Sequence, residues 1–308
     1  MKLVLACGSL SVILVLFAVA PMSLAGDEIP GDLVFRPDPG VRVTGAGLAH
    51  PSFDPATGLF YLYYESEEPR GEFVATSTDG LVFSAGSPPE EWLHDPRVLL
   101  MPEPDEEGAP IYRRYILNPD GTITSESSPD GVHFVLDPGV RYRPHPSDNG
   151  TIGVFDHFVD TRGGVVLLYI GDMQGLNNVR RAYSLPGDNG LNFVFERGDV
   201  LGDSGYGGGP NSFVDQKSVL LPDGRRRLFV MRQGTIYSFI SEDDGRTFIK
   251  EPGIRLRPSD FPGLGFVTLH DPWAIVLPDG RTRIYLHGMI RSPGGKMSSA
   301  IVSATSER

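Results

Sequence analysis

From Gly26 onward the chain alternates short apolar stretches, rich in Val, Ile, Phe and Tyr, with compact polar turns such as Pro222-Asp223-Gly224 and Pro278-Asp279-Gly280. Short apolar runs bounded by Gly, Pro and Asp predict β-strands, and this stretch shows no amphipathic helical spacing. The runs also recur in a longer pattern, in which a polar pair opens one strand, a turn comes next and a second strand returns. His50-Pro51 precedes Leu59 to Tyr64, His94-Asp95-Pro96 precedes Ile111 to Tyr115, and Asp156-His157 precedes Val165 to Ile170. Asp215-Gln216 precedes Arg227 to Met231, and His270-Asp271-Pro272 precedes Arg283 to His287.

In the first four units a hairpin comes after the second strand, built on Asp-Gly-x-x-Phe or a near relative: Asp79-Gly80 with Phe83, Asp130-Gly131 with Phe134, Asn189-Gly190 with Phe193, and Asp244-Gly245 with Phe248. Glycine takes the positive φ of such a turn, and the Asp or Asn side chain holds nearby amides. Units of roughly 45 to 60 residues fit four short antiparallel strands each. The expected fold is all-β, a five-bladed β-propeller of four-stranded blades beginning near residues 50, 94, 156, 215 and 270.

A connector repeats as well. Asp137-Pro138-Gly139-Val140-Arg141 matches Glu251-Pro252-Gly253-Ile254-Arg255, and a third copy, Asp38-Pro39-Gly40-Val41-Arg42, stands before any blade has begun. The fifth unit, in contrast, stops near Ser306 without its outer strand. An N-terminal strand within residues 31–43 is therefore expected to complete the last blade, which removes the open seam of a radial array.

Lys2, the apolar run from Leu3 to Ala20 and the small residues Ser23-Leu24-Ala25 predict a secretory signal over residues 1–25, leaving one domain over 26–308 that is secreted or periplasmic. The only cysteine, Cys7, lies inside that signal, so no disulfide is expected. After the signal no apolar run is long enough to span a membrane. The net charge of −12 argues against nucleic acid or anionic lipid as a partner. A monomer without an organic cofactor is expected.

The first strand of every propeller blade lines the central channel, so the residues opening those strands converge. Here they are His50, Asp95, Asp156, Asp215 and Asp271, the candidate catalytic groups, with His94, His157 and His270 beside them as candidate ligands of a divalent metal, calcium or zinc. Single Asp-Pro pairs cap loops, but a ring of close carboxylates needs protons, cations or substrate to offset its repulsion. Second strands return Glu65, Asp172, Arg232 and His287 to the same rim. Trp92, Tyr206 and Trp273 offer faces on which a sugar could stack.

The ring, the five blades, the strand-swapped closure and the Asp-Pro openings together resemble the five-bladed glycoside hydrolases, in particular the arabinanase and β-xylosidase family, family 43. The segment Ser241 to Phe248 also resembles the Asp-box turn of sialidases. The first resemblance implies an inverting hydrolase with a base Asp opening blade one, an orienting Asp opening blade three and an acid Glu opening blade four. This chain carries His50, Asp156 and Asp215 there, with Asp95 and Asp271 as further candidates for the base. The expected function is hydrolysis of a plant- or microbe-derived glycan. The alternatives are a noncatalytic glycan-binding or metal-binding propeller, and a metal-dependent hydrolase of another ester bond.

Overall fold

A computed structural model describes residues 33–172, 178–201, 213–291 and 294–307. The leader at 1–25 and Tyr206 lie outside the described residues. Strands β1 (Phe35–Pro37) and β2 (Val43–Thr44) come first in the chain but belong to the last sheet. Blade one is β3 (Ala46–Asp54), β4 (Leu59–Glu67) and β5 (Arg70–Ser77). Blade two is β6 (Val98–Leu100), β7 (Tyr112–Leu117), β8 (Ile123–Ser128) and β9 (Val135–Leu136). Blade three is β10 (Ile152–Val159), β11 (Val165–Gly171), β12 (Asn178–Tyr183) and β13 (Val194–Arg197). Blade four is β14 (Val214–Leu220), β15 (Arg226–Arg232), β16 (Thr235–Ser241) and β17 (Ile249–Lys250). Blade five is β18 (Phe266–Val276), β19 (Thr282–Arg291) and β20 (Met297–Ser306), completed by β1 and β2.

This is the expected five-bladed all-β propeller, with one departure. In blade one the Ser77-Thr78-Asp79-Gly80 turn forms, but the fourth strand shrinks to a single bridge, Val74 to Ser87. Among the described residues helix is confined to two three-residue turns, Pro146–Asp148 and Pro258–Asp260, and none is long and apolar enough to cross a membrane.

Burial explains the sequence pattern. A second strand is covered on both faces by neighbouring blades, so β11 is buried at every position and reads as a continuous apolar run. Outer strands meet solvent, and Val135, Leu136 and Ile249 are exposed. The core lies between blades. One cluster joins blades four and five through Phe229, Leu256 and Leu286, and a second joins three and four through Leu168, Leu228 and Phe239. A third joins five and one through Leu62, Tyr285 and Ile301, and a fourth joins two and three through Tyr115, Ile123 and Leu167.

Closure by the N-terminal strand is explicit in the pairing: Phe35 faces Ser306, Pro37 faces Ala304 and Val43 faces Ile301. The repeated connectors explain why this segment fits. Asp38 accepts hydrogen bonds from Ser303 Oγ at 2.7 Å and Thr305 Oγ1 at 2.9 Å, with Arg283 Nε at 3.3 Å. Asp137 takes the same place in blade two, between Ser125, Ser127 and Arg113, and Glu251 in blade four, between Ser238 and Arg227. Arg42, Arg141 and Arg255 each donate Nη2 back to the carbonyl of Pro39, Pro138 and Pro252. The N-terminal segment is thus chemically interchangeable with the outer segments of blades two and four.

Candidate functional site

The innermost strands of blades one, three, four and five share one irregularity. In each, three steps along the inner strand correspond to two along its neighbour: Gly47 to His50 against Glu65 to Tyr63, Ile152 to Phe155 against Gly171 to Tyr169, Val214 to Lys217 against Met231 to Phe229, and His270 to Trp273 against His287 to Tyr285. Such a bulge bends the strand and re-aims the extra residue. Three of these extra residues adopt left-handed backbone: Leu48 at φ 50°, Asp215 at φ 55° and Asp271 at φ 48°.

The bulge corrects the sequence register. His50, Asp95, Asp156, Asp215 and Asp271 do not occupy equivalent places; only Asp215 and Asp271 do. Their counterpart in blade one is Leu48, and in blade three it is Gly153. A dipeptide count along the chain misses this, because the inserted residue shifts each blade differently against its opening polar pair.

Asp215 and Asp271 are the carboxylates that the bulges of adjacent blades bring together. Asp215 is 15 % exposed at its side chain, and its Oδ2 lies 3.4 Å from His270 Nδ1. Burial, then the charge of Asp271, push the Asp215 carboxyl above the usual range, against the pull of His270. Burial opposes a charge on His270, but the hydrogen bond and charge of Asp215, then the charge of Asp271, prevail and raise it. His270 Nε2 lies 2.8 Å from Thr268 Oγ1. Asp271 has its own imidazole, His287, whose Nδ1 lies 3.3 Å from Oδ2. A side chain at Gly47 would collide with the His287 ring, so glycine is needed there for close approach. The result is two carboxylate and imidazole pairs facing one funnel.

Two residues past each bulge lies a lower tier. His50, Phe155, Lys217 and Trp273 share this register position. His50 meets Trp273 edge-on with ring centres 4.8 Å apart, and Lys217 Nζ sits 4.4 Å above the Trp273 ring. Lys217 Nζ also donates to the Phe155 carbonyl at 2.7 Å. Burial lowers the Lys217 pKa, although Asp156 and Asp271 oppose that shift. Burial, with Arg97 and Lys217 nearby, holds His50 well below the usual histidine range, so it is neutral and a poor base. Trp273 is buried between these partners, which leaves little of the face expected for a sugar to stack on.

The other expected site residues are engaged elsewhere. Asp156 is buried, and its Oδ2 accepts from Ser218 N at 2.9 Å and Ser218 Oγ at 2.6 Å, which ties blade three to blade four. Asp95 is gripped by the Arg97 guanidinium, with Nη2 at 2.6 Å, and Arg97 also meets Glu72 at 2.7 Å. Glu65 pairs across the sheet with Glu72, and burial, then that like charge, raises its pKa. Asp172 accepts from Asn149 Nδ2 at 2.5 Å, and the Arg232 guanidinium lies over Phe213 at 5.7 Å. Both stand one position beyond the register of Glu65 and His287. Sequence reasoning missed Lys217 and Arg97; the matching spacings Asp215-x-Lys217 and Asp271-x-Trp273 were the available signal for the first.

The three histidines expected to hold a metal do not converge. His94 stacks on Tyr61 at 4.0 Å, His157 Nε2 donates to the Arg97 carbonyl at 2.8 Å, and His270 faces Asp215. Burial lowers His157 to about 4. Among the described residues no three His, Cys, Asp or Glu side chains gather closely enough for a metal ion. As placed, His94, His157 and His270 do not form one calcium or zinc donor set.

No family model matches the chain, and no curated protein matches it. Solved structures do. An α-L-arabinofuranosidase from Podospora anserina, in complex with cellotriose, is 14% identical over 90% of this chain and 97% of its own, with a TM-score of 0.61. A thermostable family-43 glycoside hydrolase is 16% identical over 86% and 91%, with a TM-score of 0.52. An endo-arabinase from Bacteroides thetaiotaomicron is 13% identical over 85% and 96%, with a TM-score of 0.50. At such identities the likeness establishes a shared fold and nothing further.

Proposed function

We propose that this protein is a secreted carbohydrate-active propeller that hydrolyses a glycosidic bond in its central funnel, with Asp215 as general acid and Asp271 as general base. The observation that carries this reading is the pairing of two carboxylates on matching bulges of adjacent blades, one of them with its proton affinity raised. Asp215 would give its proton to the departing sugar oxygen as the bond to the anomeric carbon breaks, while Asp271 accepts a proton from the water that adds to that carbon. Solvent then restores both groups. His270 and His287 orient the two carboxylates, and Lys217 above Trp273 closes the site from below. The fold shared with arabinofuranosidases and an endo-arabinase makes α-L-arabinofuranosides and β-D-xylosides the first substrates to examine.

Leaving-group dependence tests the assignment. Asp215→Asn should lose about 10²–10⁴-fold in rate on unactivated glycosides and far less on activated aryl glycosides, because protonation matters most when the departing oxygen is basic. Equal losses on both would remove Asp215 as the acid. One observation favours a second reading: Leu48 and Gly153 leave two of the matching positions without a carboxylate. A glycan that binds without being cleaved, and is released by Asp271→Asn, would make the funnel a binding site.

A further inference from the structure

Apolar clusters among the described residues join blades two to three, three to four, four to five and five to one, and none joins one to two. That space holds stacked polar aromatics instead. Tyr63 lies parallel to Trp92 with ring centres 5.9 Å apart, Tyr61 lies on His94, and Arg114 sits 5.0 Å over Trp92. Because the fourth strand of blade one is only the Val74 to Ser87 bridge, the outer edge of β5 is left partly uncovered, and a cavity of about 400 Å³ opens there. Tyr61, Tyr63, Thr76, Ser87, Glu90 and Glu91 are among its walls.

The walls are set before any ligand arrives. Tyr63 Oη donates to the Glu91 carbonyl at 3.3 Å, Trp92 N donates to the Gly131 carbonyl at 3.0 Å, and Asp95 with Arg97 pins the end of the same segment. The cavity shares no lining residue with the Asp215 and Asp271 funnel.

We propose that this cleft between blades one and two is a second carbohydrate-binding site, one that holds a remote stretch of an uncharged glycan chain while the funnel acts on another. The chemistry selects that class. No lining residue is cationic, which disfavours an anionic ligand, whereas the exposed glutamates accept hydrogen bonds from sugar hydroxyls and the half-buried Tyr61 offers apolar contact to a ring face, with buried Tyr63 behind it as a fixed wall. The volume lies within the range of small-ligand sites. The choice of a sugar rests on the funnel reading above, but the experiment separates the two.

Retardation in native gels containing soluble arabinan or arabinoxylan is measured for the strongly slowed Asp271→Asn protein, alone and combined with Ser87→Trp or with Glu90→Gln and Glu91→Gln together. Ser87→Trp fills the cleft from an exposed position, and the paired Gln variant removes the acceptor charges without adding bulk. Each cleft change should weaken retardation at least tenfold. In the otherwise unchanged protein, the same changes should leave turnover of a small aryl arabinofuranoside within twofold. Undiminished retardation in both cleft variants overturns the proposal, as does a polycation such as spermidine binding the cleft while neither polysaccharide does. If no aryl glycoside is turned over but Ser87→Trp still abolishes retardation, the hydrolase reading falls and the cleft stands.

Discussion

Blades four and five carry Asp215 and Asp271 on left-handed bulge residues, whereas blade one carries Leu48 on the same bulge at φ 50° and blade three carries Gly153. The backbone device repeats, but the chemistry does not. The propeller therefore supplies an aiming mechanism that is independent of the side chain aimed, and at this position the blades differ in chemistry by one residue each. Leucine in left-handed backbone costs of order 1–2 kcal/mol, so keeping the bulge there is a demand of the fold and not of the side chain.

The comparison breaks first if blade five loses its support. Asp38 is the acceptor that joins the N-terminal segment to Ser303, Thr305 and Arg283. Asp38→Ala takes the acceptor from the Ser303 and Thr305 hydroxyls in a largely buried place, while Arg283 keeps the Asp79 carbonyl and Thr305 Oγ1, and should cost about 2 kcal/mol, read from denaturant unfolding. Because Asp271 sits in the same sheet, glycoside turnover should fall with it. A loss under about 0.5 kcal/mol would show that closure does not depend on this contact.

Replacing the strained side chain sharpens the contrast. Leu48→Asn places a residue that tolerates left-handed backbone at the blade-one bulge and should raise stability by about 1 kcal/mol while leaving turnover unchanged. Destabilisation would mean that packing of the leucine outweighs its backbone strain.

The smallest difference is one that should vanish at one end of the pH range. Because the folded pKa of Asp215 is raised, the unfolded chain loses its proton first as pH climbs. Stability from the neutral carboxyl is full below the ordinary value of about 3.9 and is lost as pH rises through the folded pKa. Asp215→Asn lacks that loss. The stability gap in favour of the variant should therefore widen as pH rises above about 4 and then level off. A gap that narrows with rising pH would mean that Asp215 is stabilised in its charged form.

Much of the architecture is legible in the sequence because its causes are local. Asp-Gly turns, apolar second strands and the three copies of the connector announce five blades, and the early copy at Asp38 to Arg42 announces the closing strand. Bulge register is not legible, because it depends on which residues pair across the sheet. His50 therefore reads as the equivalent of Asp215 although it belongs with Lys217. Asp156 reads as catalytic because nothing near it in sequence reveals Ser218 as its partner. The missing strand of blade one is hidden for a related reason: Asp79-Gly80 and Phe83 specify the turn, but not whether the segment after it pairs with β5.

The pH dependence of kcat/KM on an arabinofuranoside or xyloside tests the division of labour between blades four and five most directly. The wild type should give a bell, with an acid limb from Asp271 acting as base and an alkaline limb from Asp215 acting as acid. Asp271→Asn should erase the acid limb and Asp215→Asn the alkaline limb, each with residual rate. Retention of both limbs in both variants would contradict the account.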